Sequence, residues 1–186
     1  AILLPERFKV LGVIGCGARA DAWLWAQNEV QRSILLTQAL TDEEAMTLAR
    51  RPAMVSFRSP ASLDARFQEA ETLWEWLAHH GRALAARFTR ASYLKLLDAM
   101  DSHDLGRERG GLKAALAGLG TPLYVLGIHS DQLFPCAVVE ELAEAARAAG
   151  RLGSLEWITS PHGHDAFLIE WDQVCAWLSR ILPEVP

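Results

Sequence analysis

Three stretches of the chain are apolar over the length of a strand and end in turn-forming residues. Lys9 to Gly15 (KVLGVIG) is apolar, carries two valines and an isoleucine, and closes on glycine, while Pro122 to Ile128 (PLYVLGI) and Ser154 to Thr159 (SLEWIT) run into SDQLFP and SPHGH. Near-continuous apolar runs, without strict alternation, predict strands buried on both faces of a parallel sheet. A helical period follows the second and third runs. Val138, Leu142, Ala145 and Ala149 recur over 137–149 with Gly150 as the C-terminal stop, and Val174, Leu178 and Ile181 mark one stripe over 171–182. The order strand, loop, helix predicts an α/β fold.

Roughly a hundred residues without a convincing strand separate the first run from the second, far more than a connecting loop uses. They predict a helical insertion over 21–95, set into an α/β core made of 1–20 and 96–186. Thr41-Asp-Glu-Glu44 is a capping box that opens a helix, and Pro52, which has no amide hydrogen to donate, should bend or end it. Trp23, Trp25, Trp74 and Trp76 place four of the seven tryptophans in the insertion, where such residues pack helices together or form a dimer face.

Composition narrows the function. Half the residues (51%) are hydrophobic and 22% charged, the balance of a globular chain, and a net charge of −5 without long basic blocks argues against nucleic acid or anionic membrane as partner. No apolar stretch nears the roughly 20 residues that span a bilayer. Three cysteines, none in C-x-x-C spacing, suggest a reducing, cytoplasmic setting, not a disulfide framework or structural zinc site. The opening Ala1-Ile-Leu-Leu-Pro has neither an initiator methionine nor the basic start of a signal peptide, so the chain reads as a portion of a longer one.

Candidate chemistry gathers where parallel strands end, since open α/β sheets bind ligands at the carboxyl ends of their strands. Asp131 follows the second run and His162-Gly-His164-Asp165 the third. Acid then base, on loops after consecutive strands, is the chain order of the α/β-hydrolase triad. A hydroxyl becomes a nucleophile when a neutral imidazole takes its proton and a carboxylate fixes the tautomer. The competing reading makes Asp131 a helix cap and His164 a loop residue.

No G-x-S-x-G nucleophile elbow occurs in the 186 residues. Cys16, between Gly15 and Gly17, precedes the acid and base as a nucleophile should, but a small buried cysteine at a strand end is the commoner case. Gly15-Cys-Gly17-Ala-Arg-Ala20 matches the dinucleotide fingerprint G-x-G-x-x-A, without the second strand and acidic residue that this fingerprint requires. The histidine loop hints at a metal cluster but lacks further ligands, and Asp98, Asp101, His103 and Asp104 read as a polar helix end.

Longer runs carry a family resemblance. PERFKVLGVIGCGARADAW, NEVQRSI, LARRPAMVSFRSP, the ARF of Ala65 to Phe67, RFTRASYLKLLDAMDSHDLGRERGG, GIHSDQLFP and PHGHDAFLIE follow one another along most of the chain. In that order they resemble the homoserine O-acetyltransferases, acyl-CoA-dependent enzymes of the α/β-hydrolase fold, in their C-terminal portion. Phe57 departs from the pattern, standing where the family usually has tyrosine, Pro52 interrupts a lid helix, and the segments around Thr37 to Ala45 and Phe67 to Trp74 are shorter than the family's.

The resemblance implies that Asp131 is the triad acid and His164 the general base, that Asp165 binds the amino group of homoserine, and that Arg50 binds its carboxylate. It implies acetyl-CoA as co-substrate, no cofactor and no metal, a place in methionine biosynthesis, and a homodimer built through the lid helices. The nucleophilic serine would lie in an elbow about ten residues upstream of Pro5, outside this chain. Serine as acceptor, succinyl as donor, or an esterase of the same fold are the neighbouring readings. A non-catalytic binding module that needs a partner chain, motivated by the open edge of the first strand, is the alternative of a different class.

Overall fold

The computed structural model describes residues 1–182; residues 183–186, which the sequence reading assigns to the core, lie outside them. The chain divides into two compact units, one formed by Ala1–Arg19 with the chain from Asp104 onward, the other by Ala20–His103.

The first unit is a three-stranded parallel sheet in the order β1 (Leu11–Ile14), β2 (Leu123–Ile128), β3 (Leu152–Ile158). Its other elements are α6 (Leu112–Ala117), α7 (Cys136–Ala148) and α8 (Trp171–Ile181). β2 is the central strand and buried along nearly its whole length, as its unbroken apolar run demands. Its side chains alternate between two cores. Leu123 and Val125 pack with Val139, Leu142, Ala143 and Ala146 of α7, and Leu126 and Ile128 with Val174, Trp177 and Ile181 of α8. Helices thus cover both faces, and Gly12 and Gly127 lie where a Cβ would strike Trp177 and Trp157.

β1 is shorter than its apolar run. The Lys9 carbonyl accepts from Thr121 Oγ1 at 2.8 Å outside the ladder, and Gly15, at φ +54°, turns the chain while its N–H still bonds Leu126 O. β3 starts earlier than expected, because Gly153 leaves room for the Tyr124 ring against the strand. α7 ends as the sequence predicts, with Gly150 at φ +68° and N–H bonds from Gly150 to Arg147 O and from Arg151 to Ala146 O.

The second unit is helical: α1 (Ala22–Leu35), α2 (Asp42–Ser56), α3 (Pro60–Arg66), α4 (Ala70–Ala85) and α5 (Arg90–Asp101), around Leu35, Met46, Ala49, Leu84, Tyr93 and Leu97. Side chains of Asp21, Thr41, Ser59 and Thr89 cap the starts of α1, α2, α3 and α5, and Thr41 with Glu44 forms the full reciprocal box. The unit continues past residue 95 because α5 is tied to α1. Asn28 donates to Asp101 Oδ1 at 2.7 Å and Arg32 to Asp101 Oδ2 at 2.5 Å, so Asp101 serves a polar helix end, whereas Asp104 Oδ1 accepts the N–H groups of Gly106 and Arg107 in the other unit.

Each of two open expectations loses one of its alternatives here. Pro52 does not end α2, which runs on to Ser56 because Ala53 and Met54 bury the last turn in the unit's interior and Phe57 N–H still bonds Ala53 O. Nor do the tryptophans chiefly pack helices: Trp23, Trp25 and Trp74 are about half exposed or more, at 47, 50 and 59%. Trp76 is the one that is half-buried, against Phe67 and His80.

Candidate active site

Asp131 and His164 follow the carboxyl ends of β2 and β3. After Ile128 the chain turns through Ser130 and Asp131, and after Ile158 it reaches a 3-10 turn over Gly163–Leu168 that holds His164. The loops start side by side, since His129 N–H bonds Ile158 O across the strand ends. A second tie fixes their relative height. Gly163 N–H donates to Ser130 Oγ at 3.0 Å, from a buried backbone at φ +71° that favours glycine.

Asp131 divides its two oxygens. Oδ1 accepts the backbone N–H groups of Leu133 and Phe134 at 2.8 and 3.0 Å, and Oδ2 lies 2.8 Å from His164 Nδ1. The Asp131 side chain has no exposed surface and that of His164 is 16% exposed. The capping and catalytic readings of Asp131 are therefore compatible. It organises its own turn, not α7, whose N-cap is Pro135. A carboxylate accepts at Nδ1, so that nitrogen carries the imidazole's proton and Nε2 holds the lone pair of a base. The ring lies among Phe134 and Phe167, at centroid distances of 5.7 and 5.5 Å.

The end of β1 closes the site from below. A Cβ on Gly15 would stand 3.2 Å from His164 Cε1 and 3.4 Å from Asp131 Oδ2, so all three strand ends converge on the pair. Gly15, Ser130 and Gly163 are the residues that sequence reasoning missed. A glycine ending an apolar run is a visible signal; a serine whose partner lies 33 residues away is not.

Asp165 follows His164 in the same turn and is half-buried. Arg50 lies in the helical unit, half-buried on α2, with its guanidinium 4.9 Å over the Phe57 ring and beside Tyr93, whose hydroxyl donates to Gln31 Oε1. Burial pushes the Cys16 thiol up to about 11, which suits a core side chain and not a thiolate nucleophile. Among the described residues no group of three or more His, Cys, Asp or Glu side chains is disposed to hold a metal ion, and no helix is long and apolar enough to cross a membrane.

No family model matches the chain. Individual relatives do. A homoserine O-acetyltransferase of Thermus thermophilus is 41% identical over 190 aligned residues, which cover 98% of this chain and 49% of the relative. A homoserine O-acetyltransferase of Clavibacter michiganensis is 35% identical over 96% of this chain and 53% of its own length. The chain spans about half the length of the curated relatives it matches. Among solved structures, a homoserine O-acetyltransferase from Staphylococcus aureus superposes with a TM-score of 0.73 at 24% identity, over 100% of this chain and 56% of that one. An acetylester hydrolase from Corynebacterium glutamicum shares the fold at a TM-score of 0.75 and 14% identity, over 96% of this chain and 54% of that one. By sequence, the chain is similar to about half the length of homoserine O-acetyltransferases, and by structure it has the α/β-hydrolase fold.

Proposed function

We propose that these residues supply the acid, the base and the substrate-holding lid of an O-acyltransferase that moves an acetyl group from acetyl-CoA to the hydroxyl of homoserine. The observation that carries the reading is the 2.8 Å pairing of His164 Nδ1 with buried Asp131, in the strand positions and chain order of a Ser-His-Asp triad. The names of the sequence relatives support the choice of substrates.

In this reading a serine outside residues 1–186 is deprotonated by His164 Nε2 and attacks the thioester carbonyl. The tetrahedral intermediate collapses, CoA leaves as the thiol with the proton from His164, and an acyl-enzyme remains. Homoserine's hydroxyl then gives its proton to His164 and attacks the acyl-enzyme; the bond to the serine oxygen breaks, the serine takes the proton back from His164, and O-acetylhomoserine is released. Asp131 holds the tautomer and stabilises the imidazolium in both halves. Asp165 pairs with the substrate ammonium and Arg50 with its carboxylate, two charge-assisted contacts that fix the hydroxyl's position. No metal takes part in any step of this scheme.

The family's role in methionine biosynthesis and a cytoplasmic setting accompany the proposal. So does a homodimer through the helical unit, for which the exposed Trp23, Trp25 and Trp74 are the motive. The test is CoA release from acetyl-CoA by the full-length protein, with and without homoserine. Homoserine-dependent release that His164→Ala abolishes supports the transferase; release independent of any acceptor identifies an esterase; serine replacing homoserine, or succinyl-CoA replacing acetyl-CoA, identifies the neighbouring transferases.

A further inference from the structure

The acid and the base stand at unequal distances along the chain from the last rung of the sheet. Ile128 and Ile158 are register partners; two residues, His129 and Ser130, then lead to Asp131, whereas five, Thr159 to Gly163, lead to His164. Strand pairing alone therefore does not bring the imidazole to the carboxylate, and the longer loop has to be folded back and held. Its first residue is pinned by α8, where the Gln173 side chain accepts from Thr159 N–H and donates to Thr159 O, each at 3.0 Å. Its middle closes on itself through His162 N–H and Ser160 Oγ at 3.1 Å. Its last residue, buried Gly163, gives its N–H to Ser130 Oγ at 3.0 Å.

This last bond is the rung beside the His164–Asp131 pair. Ser130 precedes the acid as Gly163 precedes the base, so both contacts join residues 33 apart in sequence. The other bonds of Asp131, from Leu133 and Phe134 N–H to Oδ1, orient the carboxylate within its own loop and leave the height of His164 undetermined. Gln173 acts at the far end of the histidine loop, five residues from His164. A displacement of about 1 Å in a catalytic group can cost about a hundredfold in rate, so the bond nearest the pair has the most to govern.

We propose that Ser130 is a positioning residue of this site: its hydroxyl oxygen, acting through Gly163 N–H, sets His164 against Asp131 and so controls turnover. The role in turnover rests on the acyltransferase reading above; the role in holding the imidazole rests on the geometry.

The experiment takes the full-length protein with Ser130→Ala and Ser130→Thr. It reads kcat and KM for homoserine-dependent CoA release, and the tautomer of His164 by heteronuclear NMR of histidine-labelled protein. Alanine removes the acceptor, so kcat should fall about ten- to a hundredfold with both KM values within about twofold, and the imidazole proton, held on Nδ1 in the parent, should divide between the two nitrogens. Threonine keeps the oxygen and should recover most of the turnover and the Nδ1 tautomer. Gln173→Ala, which frees the other end of the same loop, should lower the melting temperature and leave the proton on Nδ1. A loss carried by KM alone, a folded threonine variant no better than alanine, or a Gln173→Ala variant that also redistributes the proton would each overturn the assignment. A tautomer that follows Ser130 in a protein that transfers no acetyl group upholds the positioning role while the reaction assignment falls. Normal transfer in S130A with the proton still on Nδ1 overturns the positioning role alone.

Discussion

Replacing Asp131 separates what its two oxygens do. In Asp131→Asn the shape is kept and Oδ1 can still accept the N–H groups of Leu133 and Phe134, so the turn should survive. The atom facing His164 Nδ1 becomes a donor, however, which forces the imidazole proton onto Nε2 and removes the base. In Ser-His-Asp enzymes that tautomer error lowers turnover about ten-thousandfold. Asp131→Ala removes both roles. Two backbone amides and the imidazole N–H lose their acceptor in a site where the Asp131 side chain is fully covered. At about 1–3 kcal/mol for a buried unsatisfied group, with the Phe134 amide only partly buried, the loss comes to roughly 2–4 kcal/mol. A chain of this size loses about 2–4 °C of melting temperature per kcal/mol, so the variant should melt roughly 4–16 °C lower. The assay pairs thermal melts of this chain with homoserine-dependent CoA release by the full-length protein. An Asn variant that melts as low as the Ala variant, an Ala variant within about 1 °C of the parent, or an Asn variant that keeps its turnover would each refute the division of labour.

Cys16, pushed up to about 11 from 9.0, should hold about a hundredfold less thiolate than an ordinary cysteine, so iodoacetamide near about pH 8.5 should label exposed Cys175 well before it, with the reverse order by peptide mapping counting against its burial. Because the folded value lies above the unfolded one, this thiol's contribution to stability is whole below about pH 9 and is lost as pH rises through about 11, which urea melts across that window should show. Gly127→Ala puts a methyl into the Trp157 ring, which stacks on His129 at 5.0 Å, and should cost about 1–3 kcal/mol and alter the near-ultraviolet tryptophan signal; an unchanged spectrum would contradict the close approach. Pro52→Ala gives the Leu48 carbonyl an amide partner within α2 and should raise stability, by up to about 3 kcal/mol, with a lower melting temperature as the contrary result.

The sheet was legible because its signal is local. An unbroken apolar run such as Leu123–Ile128 reads as a buried parallel strand wherever it sits, and Gly150 after a helical stripe reads as a stop. Asp131 and His164 were legible as a pair because strand ends dictate where loops begin. What stayed hidden depends on partners distant in sequence. The Ser130 bond to Gly163 and the approach of Gly15 to His164 leave no spacing in the chain that could betray them. The helix-packing reading of the tryptophans missed for the opposite reason, since aromatic composition reports a capacity for burial and says nothing of which face of α1 or α4 a given residue occupies. Pro52 does not stop the helix because propensity is a weak term beside the burial of Ala53 and Met54.

The shared carboxylate of Asp131 also bears on how this fold ages. A lineage that lost its chemistry would need His164 only as the partner of one carboxylate oxygen, whereas substitution of Asp131 would also unravel the turn formed by Leu133 and Phe134. Selection for folding alone therefore preserves the acid long after selection for turnover has ceased. Among descendants of this protein, an aspartate at position 131 is a fossil compatible with either history, and the histidine is the residue whose persistence testifies to a working enzyme.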